Sequence, residues 1–63
     1  MKVFIAPDAT GDNEWKLEDF HRNEKWKNLL TNDQLQELDM IPSGGTVEVN
    51  TFSGKRIQIL RII

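Results

Sequence analysis

TVEVNTFSGKRIQILRII, residues 46–63, is the stretch of sequence that decides the fold. Between Thr46 and Phe52, apolar Val47 and Val49 alternate with polar residues. Alternation with a period of two is typical of a strand that buries one face and leaves the other in water. This segment therefore predicts a half-buried strand.

A second β-rich run, residues 56–63, follows Ser53-Gly54. Because glycine adopts a positive φ without strain, we expect an antiparallel hairpin that turns at Gly54. The alternation of this run breaks at its end, where Leu60, Ile62 and Ile63 are all apolar. The break predicts burial on both faces, or a bulge near Leu60, and a position in the middle of the sheet.

The beginning of the chain carries another short strand signal, at residues 2–6. Its apolar run, Val3-Phe4-Ile5, stops at Pro7-Asp8 and predicts a strand in the interior of the sheet. Residues 7–13, PDATGDN, are rich in turn-forming types and show no hydrophobic period. We expect an exposed loop there.

Residues 14–30 give no single helical stripe. At about 100° per residue, Trp26 falls on the side of Trp15, whereas Leu17 and Phe20 fall near the opposite side. One interpretation is a helix over roughly 16–30 that is apolar on both flanks; the other is a short strand at 15–17 followed by a helix from 18 or 19. We expect helix over 18–30 and leave 14–17 open between strand and helix.

The next segment has a clear start and a clear stop. Thr31-Asn32-Asp33-Gln34 has the form of a capping box, in which the Thr31 and Gln34 side chains satisfy the first free backbone N–H groups of a helix. Leu35 and Leu38 share one face of that helix, and Pro42 disfavours helical geometry at the residue before it. The sequence therefore predicts a helix over 32–41, followed by a tight turn.

Together these segments predict one α+β domain over residues 1–63. Its sheet is small, antiparallel or mixed, with three to four strands, a C-terminal β-hairpin, and one or two helices packed on one face. We expect the first and last strands to lie side by side.

Composition excludes several classes of protein. The chain has 63 residues, no cysteine and a formal net charge of −2, so it has neither disulfides nor the strongly basic character of many nucleic-acid-binding proteins. No apolar run approaches the roughly 20 residues that span a bilayer, and the first 15 residues lack the pattern of a secretory signal. We expect a cytoplasmic protein with no membrane partner.

His21 is the single histidine, and Glu18 and Glu24 lie within one helical turn of it. Zinc sites normally use several histidine or cysteine ligands, so a solvated charge network explains this group better than a metal site. Neither serine lies in the Gly-x-Ser-x-Gly context of a nucleophile elbow. We expect no catalysis, no metal and no cofactor.

Lys55, Arg56 and Arg61 make the C-terminal hairpin basic. A helix followed by a basic hairpin resembles the second half of a winged-helix DNA-binding module, which would make these three residues the nucleic-acid contacts. The helix at 32–41, however, carries three carboxylates and no cation, which would repel phosphates. Nucleic-acid binding is therefore the alternative hypothesis.

The leading hypothesis is protein binding, and it begins from the aromatic residues. Trp15, Phe20 and Trp26 lie in one segment, and a continuous helix could not turn all three towards one sheet. Large aromatic side chains are common at the energetic centres of interfaces, so these three are the candidate protein-binding residues. We expect a small non-catalytic module of the inhibitor or regulator type that phages and mobile elements encode. A homodimer is compatible with the same surface.

Overall fold

A computed structural model describes all 63 residues. The elements in chain order are β1 (Val3–Ile5), α1 (Pro7–Thr10), β2 (Glu14–Lys16), α2 (Leu17–Arg22), α3 (Glu24–Leu29), α4 (Asn32–Met40), β3 (Thr46–Asn50) and β4 (Arg56–Arg61). None of the four helices has the length and hydrophobicity needed to cross a membrane. The expected α+β architecture with a C-terminal hairpin is confirmed.

The four strands form one open antiparallel sheet in the order β2-β1-β4-β3. The first and last strands are neighbours at its centre, as the sequence predicts, with Ile5 opposite Leu60. Backbone pairing continues beyond β4, where the Ile62 N–H donates to the Val3 carbonyl at 2.8 Å. The hairpin turns at Gly54, whose φ is 82°, a value that favours glycine.

One face of the sheet, the inner face, carries the core. Val47 and Val49 of β3 pair with Ile59 and Ile57 of β4, and all four side chains are buried on this face. The helices cover them with apolar side chains of the same connected core, Phe20, Trp26, Leu30 and Leu38. The opposite face of β3, and of β4 as far as Gln58, exposes polar side chains, as expected for a sheet that is covered on one side.

The segment expected to be one helix over 18–30 is instead two short helices, so that prediction is wrong. Asn23 separates them in extended conformation, and its side chain accepts hydrogen bonds from the backbone N–H groups of Lys25 and Trp26 at 3.0 and 3.4 Å. Asparagine is a strong helix N-cap, and here it starts a new helix. Of the undecided residues 14–17, Glu14–Lys16 form strand β2 and Leu17 begins α2.

The loop expected over 7–13 contains one helical turn, so that prediction needs correction as well. Pro7 occupies the start of α1, where a missing N–H costs nothing, and the Ala6 carbonyl accepts hydrogen bonds from Ala9 and Thr10 at 3.0 and 2.8 Å. The turn ends at Gly11, whose φ is 61°. Residues 11–13 then lead into β2.

The capping box of α4 forms as predicted. The Thr31 N–H donates to Gln34 Oε1 at 2.8 Å, and the Gln34 N–H donates to Thr31 Oγ1 at 3.2 Å. Gln34 also reaches the sheet, because its Nε2 donates to the Glu48 carbonyl of β3 at 3.1 Å. One side chain therefore starts the helix and holds it against the edge strand.

Candidate functional site

The three aromatic residues predicted to bind a protein lie together in the core. Phe20 and Trp26 are 0% and 4% exposed, and Trp15 is half-buried against them. Ring centroids are 5.1 Å apart for Phe20 and Trp26 and 5.7 Å apart for Trp15 and Trp26, which are distances typical of edge-to-face packing. The break at Asn23 turns both parts of the segment towards the sheet, so the reason for expecting a ring to face a partner no longer applies.

Trp15 and Trp26 also line a cavity of about 410 Å³ at one end of the inner face. The Trp15 Nε1 donates to Thr10 Oγ1 at 2.9 Å, so the indole N–H is already paired inside the chain. Lys55, from the alternative set of site residues, lies at the same cavity and donates to the Asp8 carbonyl at 3.1 Å. The cavity thus brings together residues that the sequence had assigned to different functions.

The basic residues of the hairpin do not form one surface. Lys55 lies on the helix side of the sheet beside α1, whereas Arg56 lies on the opposite face in an ion pair with Glu48 at 3.3 Å. Arg61 is at the far end of β4, where its Nη1 donates to the Ile41 carbonyl at 2.6 Å and its Nε to the Ile63 carbonyl at 2.8 Å. All three cations therefore have partners within the chain, and they point in different directions.

His21 is exposed at the end of α2, and Glu24 lies on the next helix. The structure contains no group of three histidine, cysteine, aspartate or glutamate side chains placed to hold a metal ion.

The face of the sheet opposite the helices, the outer face, has an apolar centre. Since Phe4 and Ile59 point into the core, the residues between inward-facing positions on β1 and β4 point outwards. The apolar ones among them are Val3, Ile5, Leu60 and, just beyond β4, Ile62. We call these four residues the outer quartet.

The outer quartet is separate from the core. Val3 is only 8% exposed, yet it does not belong to the connected core cluster, and Ile62 is 37% exposed. Ile5 and Leu60 are half-buried. Because β1 and β4 are adjacent, the four side chains form a contiguous two-by-two block on the two central strands.

Polar side chains surround this block. Strand β2 contributes Glu14 and Lys16 on one side, and on the other side β3 contributes Thr46 and Glu48, all exposed. An apolar centre within a polar rim is the usual arrangement of a protein-binding surface.

Both edges of the sheet are partly closed by side chains of the helices. On β2 the Lys16 N–H donates to Asp19 Oδ2 at 2.8 Å, and on β3 the Glu48 carbonyl accepts from Gln34. An incoming strand needs free backbone groups along such an edge. The outer face is therefore a better candidate than either edge for contact with a partner.

Sequence reasoning did not select the outer quartet, although the signal was present. The run Val3-Phe4-Ile5 predicts an interior strand, and the break in alternation from Leu60 to Ile63 predicts burial on both faces or a bulge near Leu60. Helices cover only one of those faces. On the other face Ile62 is exposed, Ile5 and Leu60 are half-buried, and Val3 is almost fully buried.

No family model, no curated protein sequence and no solved structure matches this chain. Its function must therefore be argued from the surface itself.

Proposed function

We propose that this chain is a small non-catalytic protein-binding module and that it binds its partner through the outer quartet and the polar rim around it. The observation that carries the proposal is the contiguous apolar block on the uncovered face of the sheet. An antiparallel sheet covered on one side normally presents polar residues on the other. Here β3 follows that rule and the centre of the sheet does not.

Single apolar residues on a surface are ordinary and need no explanation. The outer quartet differs because its members are adjacent on paired strands. Contiguous apolar patches rimmed by polar groups commonly mark interaction sites. We propose that this binding takes place in the cytoplasm and has a regulatory role.

A lysine in the outer quartet tests this proposal. Ile62→Lys puts a charge at the most exposed member of the block, while its aliphatic stem can still cover Val3. Met40→Lys is the matched control, because Met40 is an exposed apolar residue on the helix side of the molecule, in the last turn of α4. A cation at a helix C-terminus is favourable, so the control should fold at least as well as the unaltered chain.

The three tagged proteins are incubated with lysate, with and without nuclease treatment, and the retained proteins are identified by mass spectrometry. We expect one protein to be retained in stoichiometric amount by the unaltered chain and by Met40→Lys, and to be lost with Ile62→Lys. Circular dichroism and the dispersion of amide resonances establish that both variants are folded. Equal retention by all three proteins, or retention only of material that nuclease removes, would refute the proposal.

A further inference from the structure

We propose that the partner whose surface fits the outer face is a second copy of this chain, packed sheet against sheet about a two-fold axis that runs across the strands. This inference rests on the proposed function, because it uses the same surface and adds the identity and geometry of the partner. It comes from the order of side chains on the outer face.

Strand register arranges the outer quartet and its neighbours in two rows, and two polar rows, Glu48 with Gln58 and Asn50 with Arg56, continue along β3 and β4. The first row runs Glu14, Ile5, Leu60, Thr46 across the four strands, as the pairs Ile5 with Glu14, Ile5 with Leu60, and Thr46 with Leu60 require. The second row runs Lys16, Val3, Ile62, from the pairing of Val3 with Lys16 and the hydrogen bond between Ile62 and Val3. Each row therefore has a charged end on β2 and an apolar pair on the central strands, and the two charges are opposite.

A two-fold axis placed between these rows, in the plane of the interface, makes the surface complementary to itself. The rotation lays the first row of one copy over the second row of the other, so apolar pairs meet apolar pairs. It also lays Glu14 over Lys16 of the second copy, and by symmetry Lys16 over Glu14 of the second copy. Self-complementarity of this kind is what a two-fold interface between identical chains requires.

Both charges are free to make these contacts. The ion pairs within the chain join Lys2 to Asp39 and Arg56 to Glu48, and neither involves Glu14 or Lys16. A two-fold axis along the strands would instead lay Glu14 over Thr46 and leave both charges without an opposite partner. Charge complementarity therefore favours the axis across the strands.

The size of the face predicts a weak and reversible dimer. Four strands about 4.8 Å apart and up to six residues long give a face of roughly 19 by 20 Å. The area of such a face is well below the area of about 800 Å² per partner that is buried in a standard stable interface. We expect a dissociation constant of about 10 to 100 µM, in the range of weak transient complexes.

Charge exchange between Glu14 and Lys16 tests the geometry. Sedimentation equilibrium is measured for the unaltered chain, Glu14→Lys, Lys16→Glu and the double variant. Each single change replaces two symmetry-related attractions by two repulsions and should weaken dimerisation by about tenfold. The double variant restores opposite charges at both contacts, so its dissociation constant should return to within about threefold of the original value.

Glu37→Lys is the control, because Glu37 is exposed on α4 on the helix side of the molecule. It changes the net charge as much as Glu14→Lys does, and we expect dimerisation to be unaltered. Double and single variants that behave alike would overturn the proposed axis.

Two further results separate this inference from the proposed function. A chain that stays monomeric up to about 1 mM would overturn the second copy as partner, and the lysate experiment with Ile62→Lys would then decide the proposed function by itself. A dimer that Ile62→Lys leaves intact would show that the outer face is not the dimer interface and would overturn this inference, and the lysate experiment would again decide the proposed function.

Discussion

Asn23→Ala should destabilise the domain by removing the cap that separates α2 from α3. The Asn23 side chain accepts from the N–H groups of Lys25 and Trp26, and alanine leaves both without that acceptor. The loss matters beyond the cap, because α3 places Trp26 against Phe20 and the sheet. Loss of the Asn23 cap should therefore also weaken the packing of Trp26 against Phe20 in the core.

The size of the effect follows from the cap. Replacing an asparagine N-cap by alanine costs typically about 1 kcal/mol, within a range of about 0.5–2 kcal/mol. In a domain of this size, each kcal/mol lowers Tm by roughly 4–8 °C. We expect Tm to fall by about 4–8 °C, with the larger value if Trp26 also loses packing.

Thermal denaturation followed by tryptophan fluorescence measures this change, because both indoles belong to the affected cluster. Asn23→Asp keeps the accepting oxygen and should remain close to the unaltered chain. Asn28→Ala makes the same chemical change at an exposed position within α3, where alanine is the better helix former. Equal Tm values for Asn23→Ala and Asn28→Ala would refute the assignment of Asn23 as the residue that starts α3.

Three other changes test separate parts of the fold. Leu38→Ala leaves a cavity at a fully buried site between α4 and the sheet and should lower the free energy of unfolding by about 2–5 kcal/mol. Urea should therefore unfold this variant at a much lower concentration, and an unchanged midpoint would contradict the placement of Leu38. Gln34→Ala removes both the capping contact and the hydrogen bond to the Glu48 carbonyl, so we expect a loss of about 1 kcal/mol and faster amide exchange at Thr31. Gln36→Ala, exposed on the same helix, should change neither quantity. Arg61→Met removes two hydrogen bonds to carbonyls and should lower the free energy of unfolding by about 1–2 kcal/mol; a loss of nucleic-acid retention with unaltered stability would instead favour Arg61 as a ligand contact.

Local signals in the sequence were sufficient for strands β1, β3 and β4 and for α4. The alternation around Val47 and Val49 gives β3 its buried face, and the Thr31 and Gln34 capping box gives the start of α4. Both features depend on contacts between residues that are near in sequence, so pattern and chemistry agree with the structure. The apolar ends of the chain also indicated that β1 and β4 lie at the centre of the sheet.

The segment between β1 and α4 could not be predicted in the same way. A helical period calculated over 14–30 assumes one axis, and the chain changes direction at Asn23. Asparagine is also tolerated inside helices, so its role as a cap depends on the tertiary packing of Phe20 and Trp26. The same error suggested that an aromatic flank was free for a partner.

The candidate surface required the topology as well. Val3 and Ile62 are far apart in sequence and become neighbours only because β1 pairs with β4. Apolar residues on both faces of a central strand are compatible with a sheet covered on two sides, and only the positions of the helices show that no helix packs on the outer face.

The most direct test of protein binding through the outer quartet is a cross-saturation measurement by NMR. Deuterated protein with protonated Ile, Leu and Val methyl groups is mixed in turn with unlabelled chain and with the protein retained from lysate, and the unlabelled partner is irradiated. Our account predicts that signal loss concentrates on the methyl groups of Val3, Ile5, Leu60 and Ile62. Loss concentrated on Leu29 and Leu35 of the helix side, or no loss with either partner, would contradict it.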